Sequence, residues 1–407
     1  MNIGKKRLRV AVLSPFIDKH HGTERIVAEW ISRLADAFEI HLYSQRVSEL
    51  DLSHITWHPI PELPGPHLLN YLWWFGANHL WRFWDRHVRG ICYDLVFTPG
   101  INCLDADVIS VHIVFAEYCR LARTELSFRN NPVGSWPRLL HRKAYYKLIT
   151  WIEERTYSDP KHQLILIARK TAKDLKRHYG RNDALPVVYV GLNHEIFNRR
   201  NRLSLRSQAR ESLQLTEDTF VLLLIGNDWK KKGLDTLLVS LSYLRDLRVV
   251  LLVAGQDDSG PYKKLARQYR VEGMVRFLTP RPDVLFYYSA ADANVGPSLE
   301  DTFALPTAEA MACALPVITS LENGTSEIIV HGRDGLLLRS ATDAEELASR
   351  IRELYSDRGL CQQLGENGAR AVTLYTWENN AQEIGAIFEQ VRLSKIDVRC
   401  REVAEKA

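Results

Sequence analysis

The sequence has little cysteine and no long apolar run. Six cysteines are spread over 407 residues, and no two of them form a CxxC pair. This spacing is typical neither of a disulfide framework nor of a zinc site, and it favours free thiols in a reducing cytosol. No segment approaches the ~18 consecutive apolar residues of a membrane span, and the apolar run from Val10 to Leu13 is too short for a signal peptide. We therefore expect a cytoplasmic protein that is soluble or peripheral to a membrane.

Signatures of nucleic-acid binding are also missing. The sequence contains no zinc-finger, helix-turn-helix or RNA-binding pattern, so we expect no nucleic-acid partner. The formal net charge is +4, and the excess is local, because residues 119–181 carry 15 basic and five acidic side chains. Such a segment favours an anionic partner, either a membrane surface or a phosphorylated substrate.

The hydrophobic pattern predicts an α/β protein with two domains. A strand over 9–14, a helix from Gly22 to about Ala37 and a strand over 40–44 form a β–α–β opening, which implies a parallel sheet. A second series begins at 220–225, after a polar stretch. We predict a first Rossmann-like domain over 1–198, a linker over 199–218, a second Rossmann-like domain over 219–376, and a helical segment over 377–407 that packs back toward the first domain.

The most informative segment runs from Pro297 to Ile318, with the sequence PSLEDTFALPTAEAMACALPVI. It predicts a strand, a loop, a short helix and a strand, because Pro306 suits a first helical turn and Pro316 ends the helix. Asp301 then lies on the loop and Glu309 inside the helix, so both can face a ligand at the helix N-terminus, an end that is itself a ready anion site. The spacing alone leaves a second interpretation open, in which both acids are solvated groups of a buried α/β unit.

Three further places are candidates for contact with a ligand. The loop GNDWKKKG over 226–233 puts a glycine at a strand end and three lysines beside it, although it lacks the spacing of a Walker loop. Gly22 leaves the backbone open at a helix N-terminus, and His112 follows the predicted strand over 108–111. Each place has a plain alternative: a solvated basic turn, a tight turn and a structural histidine.

Aromatic and basic side chains alternate over residues 67–94. Together with the basic helix around 138–147, this composition suits a surface that lies on anionic lipid. The alternative is that the aromatic residues over 72–84 form a core face. The candidate membrane-contacting residues are Trp74, Trp81, Arg82, Arg142 and Lys143.

Taken together, these segments resemble the retaining glycosyltransferases of family 4, also called glycosyltransferase group 1, which have the GT-B fold. The family pattern P-S-x-x-E-G-F-G-L-P-x-x-E-A-M-A-x-G-x-P-V becomes PSLEDTFALPTAEAMACALPV in this chain. His21–Arg25, Val190–Phe197 and Lys232-Gly233 agree with other family segments in the same order. Among family members the chain looks loosely like the lipopolysaccharide-core hexosyltransferases. The resemblance implies two facing, doubly wound Rossmann-like domains with a deep interdomain cleft, the first binding an acceptor and the second a nucleotide-sugar donor.

The resemblance also implies a role for each candidate residue. Glu309 would accept hydrogen bonds from the donor ribose, and Asp301 from the transferred sugar. Lys232 would neutralise the diphosphate leaving group in place of a metal ion, so neither a metal nor another cofactor is expected. His112 would lie near the reacting carbon. The remaining donor-binding positions are Gly22, Gly226, Asn227, Lys231, Phe303, Ala304 and Leu305, the last three through N–H groups at the helix N-terminus.

The function implied is transfer of a hexose from a nucleoside diphosphate sugar to a glycan or lipid-linked acceptor, with retention of anomeric configuration. We expect it to serve envelope polysaccharide or glycolipid synthesis, at the inner face of the membrane. Some positions depart from the family pattern: Asp301 replaces a glutamate, and Thr302 and Ala304 replace glycines. Two alternatives therefore stay open, a nucleotide-sugar 2-epimerase-like enzyme and a catalytically degenerate scaffold subunit.

Overall fold

The computed structural model of the chain describes residues 7–19, 22–123, 126–128 and 132–404, with side chains up to residue 396. His21, which begins one of the family-like segments, lies outside the described residues. The chain divides into two compact units. Residues up to Tyr189, together with those from Trp377 onward, form the first unit, and Val190–Thr376 form the second.

The described residues of the first unit build a six-stranded sheet in which all neighbouring strands are parallel. The strands are β1 (Arg9–Leu13), β2 (Phe16–Ile17), β3 (Glu39–Ser44), β4 (Arg46–Val47), β5 (Ile55–Pro59), β6 (Leu95–Pro99), β7 (Val108–Val111) and β8 (Gln163–Leu166). The order across the sheet is β5-β3-β1-β6-β7-β8, while β2 and β4 form a separate pair. The central strands read as apolar runs because both faces of this sheet are covered.

The helices described in the first unit are α1 (Gly22–Leu34), α2 (His67–His87), α3 (Phe115–Leu121), α4 (Trp136–Tyr157), α5 (Lys170–Tyr179) and α13 (Trp377–Ala404). Helix α13 packs on α1, and the ring of Phe388 lies 5.9 Å from that of Phe38. Gly385 permits this approach, since a Cβ there would lie 3.2 Å from the side chains of Leu34 and Phe38. In the described ranges, no helix has both the length and the apolar character needed to cross a membrane.

The second unit repeats the same plan. Its strands are β9 (Phe220–Ile225), β10 (Val249–Ala254), β11 (Val275–Leu278), β12 (Ala293–Gly296), β13 (Val317–Ser320) and β14 (Leu336–Leu338), in the parallel order β11-β10-β9-β12-β13-β14. Its helices are α6 (Arg199–Ser212), α7 (Leu234–Leu241), α8 (Ser259–Gln268), α9 (Leu285–Ala290), α10 (Leu305–Ala312), α11 (Ala344–Ser356) and α12 (Arg358–Ala371). Leucines of β9 and α7 lie at the centre of its core.

The expected linker over 199–218 is wrong. Fourteen of these residues form α6, and the whole segment from Val190 belongs to the second unit. Arg206 and Arg210, one helical turn apart, bind the same carboxylate of Asp292 at 2.7 and 3.2 Å. Arg206 and Arg210 make the segment polar although both are ion-paired inside the unit, and polarity alone resembled a linker.

Both sheets have the Rossmann strand order, which confirms the predicted α/β fold with two doubly wound domains. In each sheet the first strand is central, with the second and third strands on one side and the last three on the other. The direction of winding therefore reverses beside β1 in the first sheet and beside β9 in the second. Ligands of such sheets bind outside the carboxyl ends of the strands at this reversal. In the second unit we therefore expect the loops that follow β9 and β12 to bind the ligand.

Candidate functional site

The loop after β9 is shaped by glycine and by side-chain contacts to the backbone. Gly226 has φ +117°, and a Cβ there would lie 2.6 Å from Cε of Lys232, so only glycine lets the lysine pass. The side chain of Asn227 accepts a hydrogen bond from the N–H of Gln256 at 2.9 Å. Asn227 therefore holds this loop to the end of β10.

The loops after β9 and β12 meet at Gly233. This residue has φ +77°, and a Cβ on it would lie 2.0 Å from the carbonyl oxygen of Pro297. One step further, the N–H of Leu299 donates to the carbonyl of Lys231 at 2.6 Å. The loop that carries the lysines is thus fixed directly on the loop that carries Asp301.

Lys232 and Asp301 form an ion pair. Nζ of Lys232 lies 2.9 Å from Oδ2 of Asp301, with the two side chains 16% and 20% exposed. A ligand can reach the pair because both side chains are partly exposed. Most of each side chain is shielded from water, so the two charges interact more strongly than they would at a fully exposed site. An anion that binds Lys232 competes with Asp301 for the same ammonium group. The site therefore has two states, one in which Lys232 is paired with Asp301 and one in which Lys232 is paired with the anion.

The backbone of Asp301 is anchored on both sides. Its N–H donates to the carbonyl of Glu322 at 3.2 Å, and its carbonyl accepts from the N–H of Gly324 at 2.9 Å. These bonds join the loop after β12 to the loop after β13. The position of the carboxylate is therefore set by two neighbouring strands of the sheet.

Glu309 lies inside α10 and is only 3% exposed. Its Oε2 accepts a hydrogen bond from the hydroxyl of Tyr288 at 2.9 Å. Tyr288 comes from α9 and is itself fully buried. Tyr288 therefore orients Glu309, a residue type whose two carboxylate oxygens can each accept more than one hydrogen bond.

The N–H groups expected to hold a phosphate are partly engaged within the protein. The N–H of Ala304 donates to Oδ1 of Asn323 at 3.3 Å, and the N–H of Leu305 donates to the carbonyl of Phe303 at 3.1 Å. Phe303, Ala304 and Leu305 are also all buried. In this structure the side chain of Asn323 thus stands where the resemblance implied a phosphate oxygen.

Two of the residues expected at the donor site, Gly22 and His112, lie in the first unit. Gly22 is the first residue of α1 and is exposed, and no atom of the described residues lies within 4 Å of the place where a Cβ would stand. His112 follows the carboxyl end of β7, and its Nε2 lies 3.0 Å from Oγ of Ser110. Burial lowers the pKa of His112 to about 4, so the ring is neutral at neutral pH. Its Nδ1 has no hydrogen-bond partner among the residues described.

The segment that follows His112 in the chain is held in place by a buried carboxylate. Glu153 of α4 accepts hydrogen bonds from the N–H groups of Phe115 and Ala116, at 2.7 and 3.1 Å, and thereby caps the N-terminus of α3. The hydroxyl of Tyr179 donates to its second oxygen at 2.5 Å. Burial raises the pKa of Glu153 to about 7. The loop that carries His112 is therefore held in place by a group that titrates near neutral pH.

Residues 206–371 match the family described as "Glycosyl transferases group 1". The chain carries a glycosyl transferase group 1 domain. This domain contains every candidate donor-binding residue of the second unit, from Gly226 to Glu309. The match agrees with the resemblance of the motif over 297–317 to group 1 glycosyltransferases.

Individual relatives agree with this assignment. The D-inositol 3-phosphate glycosyltransferase of Streptomyces bingchenggensis is 31% identical over 243 residues, which are 56% of this chain and 52% of the relative. The chain spans about half the length of the curated relatives that it matches. The crystal structure of WaaG, a glycosyltransferase involved in lipopolysaccharide biosynthesis, is 19% identical with a TM-score of 0.75, covering 93% of this chain and 99% of WaaG. Anabaena Alr3699/HepE in complex with UDP and glucose is 18% identical with a TM-score of 0.69, covering 94% and 100%. These two structures confirm the GT-B fold.

Outside the glycosyl transferase group 1 domain, part of the predicted membrane surface is wrong. Trp74 is 1% exposed, and its indole N–H donates to Asn102 at 2.9 Å. Arg82 is 7% exposed and binds Asp105 through both terminal nitrogens, at 2.7 and 2.8 Å. Trp81 is half-buried. These side chains belong to the inward face of α2, which is polar because it binds the loops beneath it.

The two candidates on α4 lie nearer to the surface. Arg142 is exposed and lies over the ring of Tyr146, 5.8 Å from its centroid. Lys143 is half-buried, with its ammonium 4.2 Å from the ring centroid of Phe128. Arg142 thus stays available to an anionic surface, while Lys143 is partly committed to an aromatic contact within the unit.

Sequence reasoning did not single out Tyr288, Asn323 or Glu153. Tyr288 meets Glu309 across 21 residues and Glu153 meets Phe115 across 38, separations at which no periodicity exists to be read. Asn323 carried a weak signal, because Asn-Gly dipeptides mark turns. All three act on residues that sequence reasoning did identify, and they do so through contacts that only the fold creates.

Proposed function

We propose that this protein transfers a hexose from a nucleoside diphosphate sugar to a glycan or lipid-linked acceptor, with retention of anomeric configuration. The observation that carries the proposal is the Lys232–Asp301 ion pair at the winding reversal of the second sheet. A cation there suits a diphosphate, and a carboxylate beside it suits sugar hydroxyls. The group 1 domain and the glycosyltransferase relatives support the same class of reaction.

The chemical step follows from these positions. An acceptor hydroxyl attacks the anomeric carbon while the bond from that carbon to the diphosphate oxygen breaks. The leaving diphosphate takes the acceptor proton on the same face of the sugar, so configuration is retained. Lys232 stabilises the charge that develops on the leaving oxygen, with Lys231 of the same loop adding positive potential. We propose that these lysines serve in place of a metal ion.

The two carboxylates have different roles in the proposal. Asp301 binds hydroxyls of the transferred sugar once the diphosphate has taken over Lys232. Glu309, oriented by Tyr288, accepts hydrogen bonds from the ribose. His112, neutral at neutral pH, is proposed as a hydrogen-bonding group toward the sugar, and Gly22 as an open backbone position toward the diphosphate.

The donor and acceptor are proposed at the level of chemical class. HepE is a fold relative whose structure holds UDP and glucose, so UDP-glucose is the first donor to try. A thermal-shift panel of UDP-, GDP- and ADP-sugars identifies the base and sugar that this chain binds. The acceptor belongs, in this proposal, to envelope polysaccharide or glycolipid synthesis.

Two substitutions test the proposal with the donor found in this way. Lys232→Ala and Glu309→Ala are each expected to lower transfer and donor hydrolysis by about 100-fold or more. The matched control is Lys264→Ala, which removes an exposed lysine from α8 of the same unit. Nuclear magnetic resonance of the product reports the anomeric configuration. Full activity in either site variant, or an inverted product, would contradict the proposal.

The same experiments separate the two alternatives. A 2-epimerase-like enzyme converts the donor sugar without any acceptor, which the spectrum of the donor incubated alone reveals. A scaffold subunit binds neither UDP nor GDP in calorimetry. Neither alternative is favoured by the relatives of this chain.

Peripheral attachment to the inner membrane face is also a proposal. The outward face of α2 exposes Leu80, Phe83 and Trp84, each with more than half of its surface open, beside the exposed Arg86. Apolar side chains flanked by arginine suit an anionic bilayer surface. Trp84→Ser and Arg142→Glu are expected to reduce sedimentation with anionic liposomes at low salt. If the wild-type chain does not sediment, this attachment is refuted.

A further inference from the structure

The first unit contains a cavity that the proposed reaction does not use. Its volume is about 820 Å³, and it lies between the second half of α2, residues 91–96 and the α13 segment from Arg392 to Ile396. This volume is within the range of small-molecule sites, about 300–1,000 Å³.

The cavity lies at the amino-terminal edge of the first sheet. Asp94 and Asp105, which line it, come just before β6 and β7. His112 follows the carboxyl end of β7, which is the opposite edge of the same parallel sheet. The cavity is therefore separate from His112, although its lining includes Arg82 of the predicted membrane surface, and substitutions inside it leave His112 untouched.

The charge lining the cavity is positive. Four lysine and arginine side chains face two aspartates. Asp105 is already bound by both terminal nitrogens of Arg82. Burial raises the pKa of Asp105, but the contacts with Arg82 outweigh burial and hold this pKa below its usual value. Lys395 binds Asp107 at 2.8 Å and donates to the carbonyl of Asp94 at 3.1 Å, and Arg392 meets the half-exposed Glu389 at 3.3 Å.

Arg86 completes the positive lining. Its side chain is exposed and makes no ion pair within the part of the chain that the structure describes. Arg86 and Arg392 thus bring positive charge to one cavity from two different helices. Guanidinium groups arranged in this way bind phosphate oxygens with paired hydrogen bonds.

The other wall of the cavity is apolar and open to water. Leu80 and Phe83 are each 59% exposed, and Ile396 is 44% exposed. The ring of Phe83 is stacked on that of His87, with 4.1 Å between centroids, so it is held in position without being buried. Covering these side chains with hydrocarbon would release them from water. A wholly polar phosphate compound would leave them as they are.

We propose that this cavity binds a phosphate monoester that carries a hydrocarbon chain. The phosphate lies against Arg86, Arg392 and Lys395, and the chain covers Leu80, Phe83 and Ile396. The same chemistry is offered by an anionic lipid of a bilayer and by a soluble short-chain ester. The proposal does not depend on the donor site, and cavity variants are expected to keep donor hydrolysis unchanged.

Calorimetry on the full chain tests the proposal, with monomeric dihexanoyl phosphatidate as the probe. We expect saturable binding that Arg86→Glu and Arg392→Glu each weaken by about tenfold or more, since each change turns attraction into repulsion. Arg138→Glu is the matched control, because it reverses an exposed arginine of α4 outside the cavity, and it is expected to leave affinity unchanged. Phe83→Ser weakens binding of the ester and leaves that of inorganic phosphate as it was.

The outcomes separate the parts of the proposal. No saturable binding of the ester, or equal loss in Arg86→Glu and Arg138→Glu, overturns the site. Equal affinity for inorganic phosphate overturns the role of the hydrocarbon chain. Phosphatidylcholine vesicles with and without phosphatidate then distinguish the two sources. Phosphatidate-dependent binding that Arg86→Glu abolishes identifies a bilayer lipid, and binding of the short ester alone identifies a soluble ligand. Far-ultraviolet circular dichroism of each variant verifies that it is folded.

Discussion

Replacing Asp301 by asparagine should tighten the binding of a free nucleoside diphosphate while it impairs transfer. In the structure the ammonium of Lys232 is held by Asp301 at 2.9 Å. A diphosphate must take this ammonium from the carboxylate before it can bind. Asparagine keeps the size and hydrogen-bonding shape of the side chain but removes the competing charge, so the lysine is available to the ligand from the start.

The magnitude follows from the geometry of the pair. At 2.9 Å and an effective dielectric constant of about 20, the direct attraction is roughly 6 kcal/mol. Desolvation offsets most of it: exposed pairs contribute about 0.2–1 kcal/mol, and loss of one partner of a buried pair costs about 3–5 kcal/mol. Side chains that are 16% and 20% exposed lie between these limits. We expect a gain of about 1–2 kcal/mol, which is a factor of about 5–30 in affinity for UDP.

Calorimetry with UDP on wild type and Asp301→Asn measures this gain directly. Asp228→Asn is the matched control, because Asp228 pairs with Lys231 in the same loop and asparagine tolerates its φ of +60°. That pair is more exposed, at 30% and 52%, so its loss should change affinity by about twofold at most. Transfer from the sugar donor should fall in Asp301→Asn, since the sugar loses its acceptor group. Unchanged or weaker UDP binding would refute the competition between Asp301 and the diphosphate.

Two further predictions concern stability. Gly233→Ala should destabilise the second unit by about 2 kcal/mol or more, because φ is +77° and the new Cβ would lie 2.0 Å from the Pro297 carbonyl. Urea unfolding measures this change, and Gly273→Ala, which meets nothing within 4 Å, is the control. Glu153→Gln should change the pH dependence of unfolding. Because the folded pKa of Glu153 is raised from 4.5 to about 7, the unfolded chain releases the proton first, and ionisation costs the wild type stability on the order of 3 kcal/mol as pH rises from about 4.5 to about 7. Glutamine escapes this cost, so the free energies of unfolding of the two proteins should diverge across that range, and parallel curves would contradict the raised pKa.

Local patterns were sufficient for the predicted strands and for their arrangement in two parallel sheets. Parallel strands buried on both faces must be apolar throughout, and the connections between them must be helical. The start of α10 beside Pro306 follows from backbone chemistry at one position, whereas the helix ends at Ala312, four residues before Pro316. These features depend on neighbours in sequence, and for that reason they could be predicted from one chain.

Helix α2 shows where the same reasoning fails. Its buried face contains Asn78, Arg82 and Asp85 as well as Trp74, so it is as polar as many exposed faces. Each of these polar side chains has a partner from a loop or a strand far away in sequence: Asn78 binds Asn102, Arg82 binds Asp105, and Asp85 binds Tyr43. The prediction rested on the aromatic and basic composition of the helix, which does not reveal the partners of its residues, and so it placed Arg82 at a surface.

The candidate donor residues divide along the same boundary. The motif over 297–317, Lys232 and the group 1 family could be recognised in the chain itself, because each is a local arrangement of residue types. The ion pair between Lys232 and Asp301, 69 residues apart, exists only because the loops after β9 and β12 leave adjacent strands of one sheet. The hydrogen bond between Tyr288 and Glu309 and the one between Ala304 and Asn323 have the same origin. Residue types are a property of the chain, whereas the distance between two charges is a property of the packed sheet, and the chemistry proposed for this site requires both.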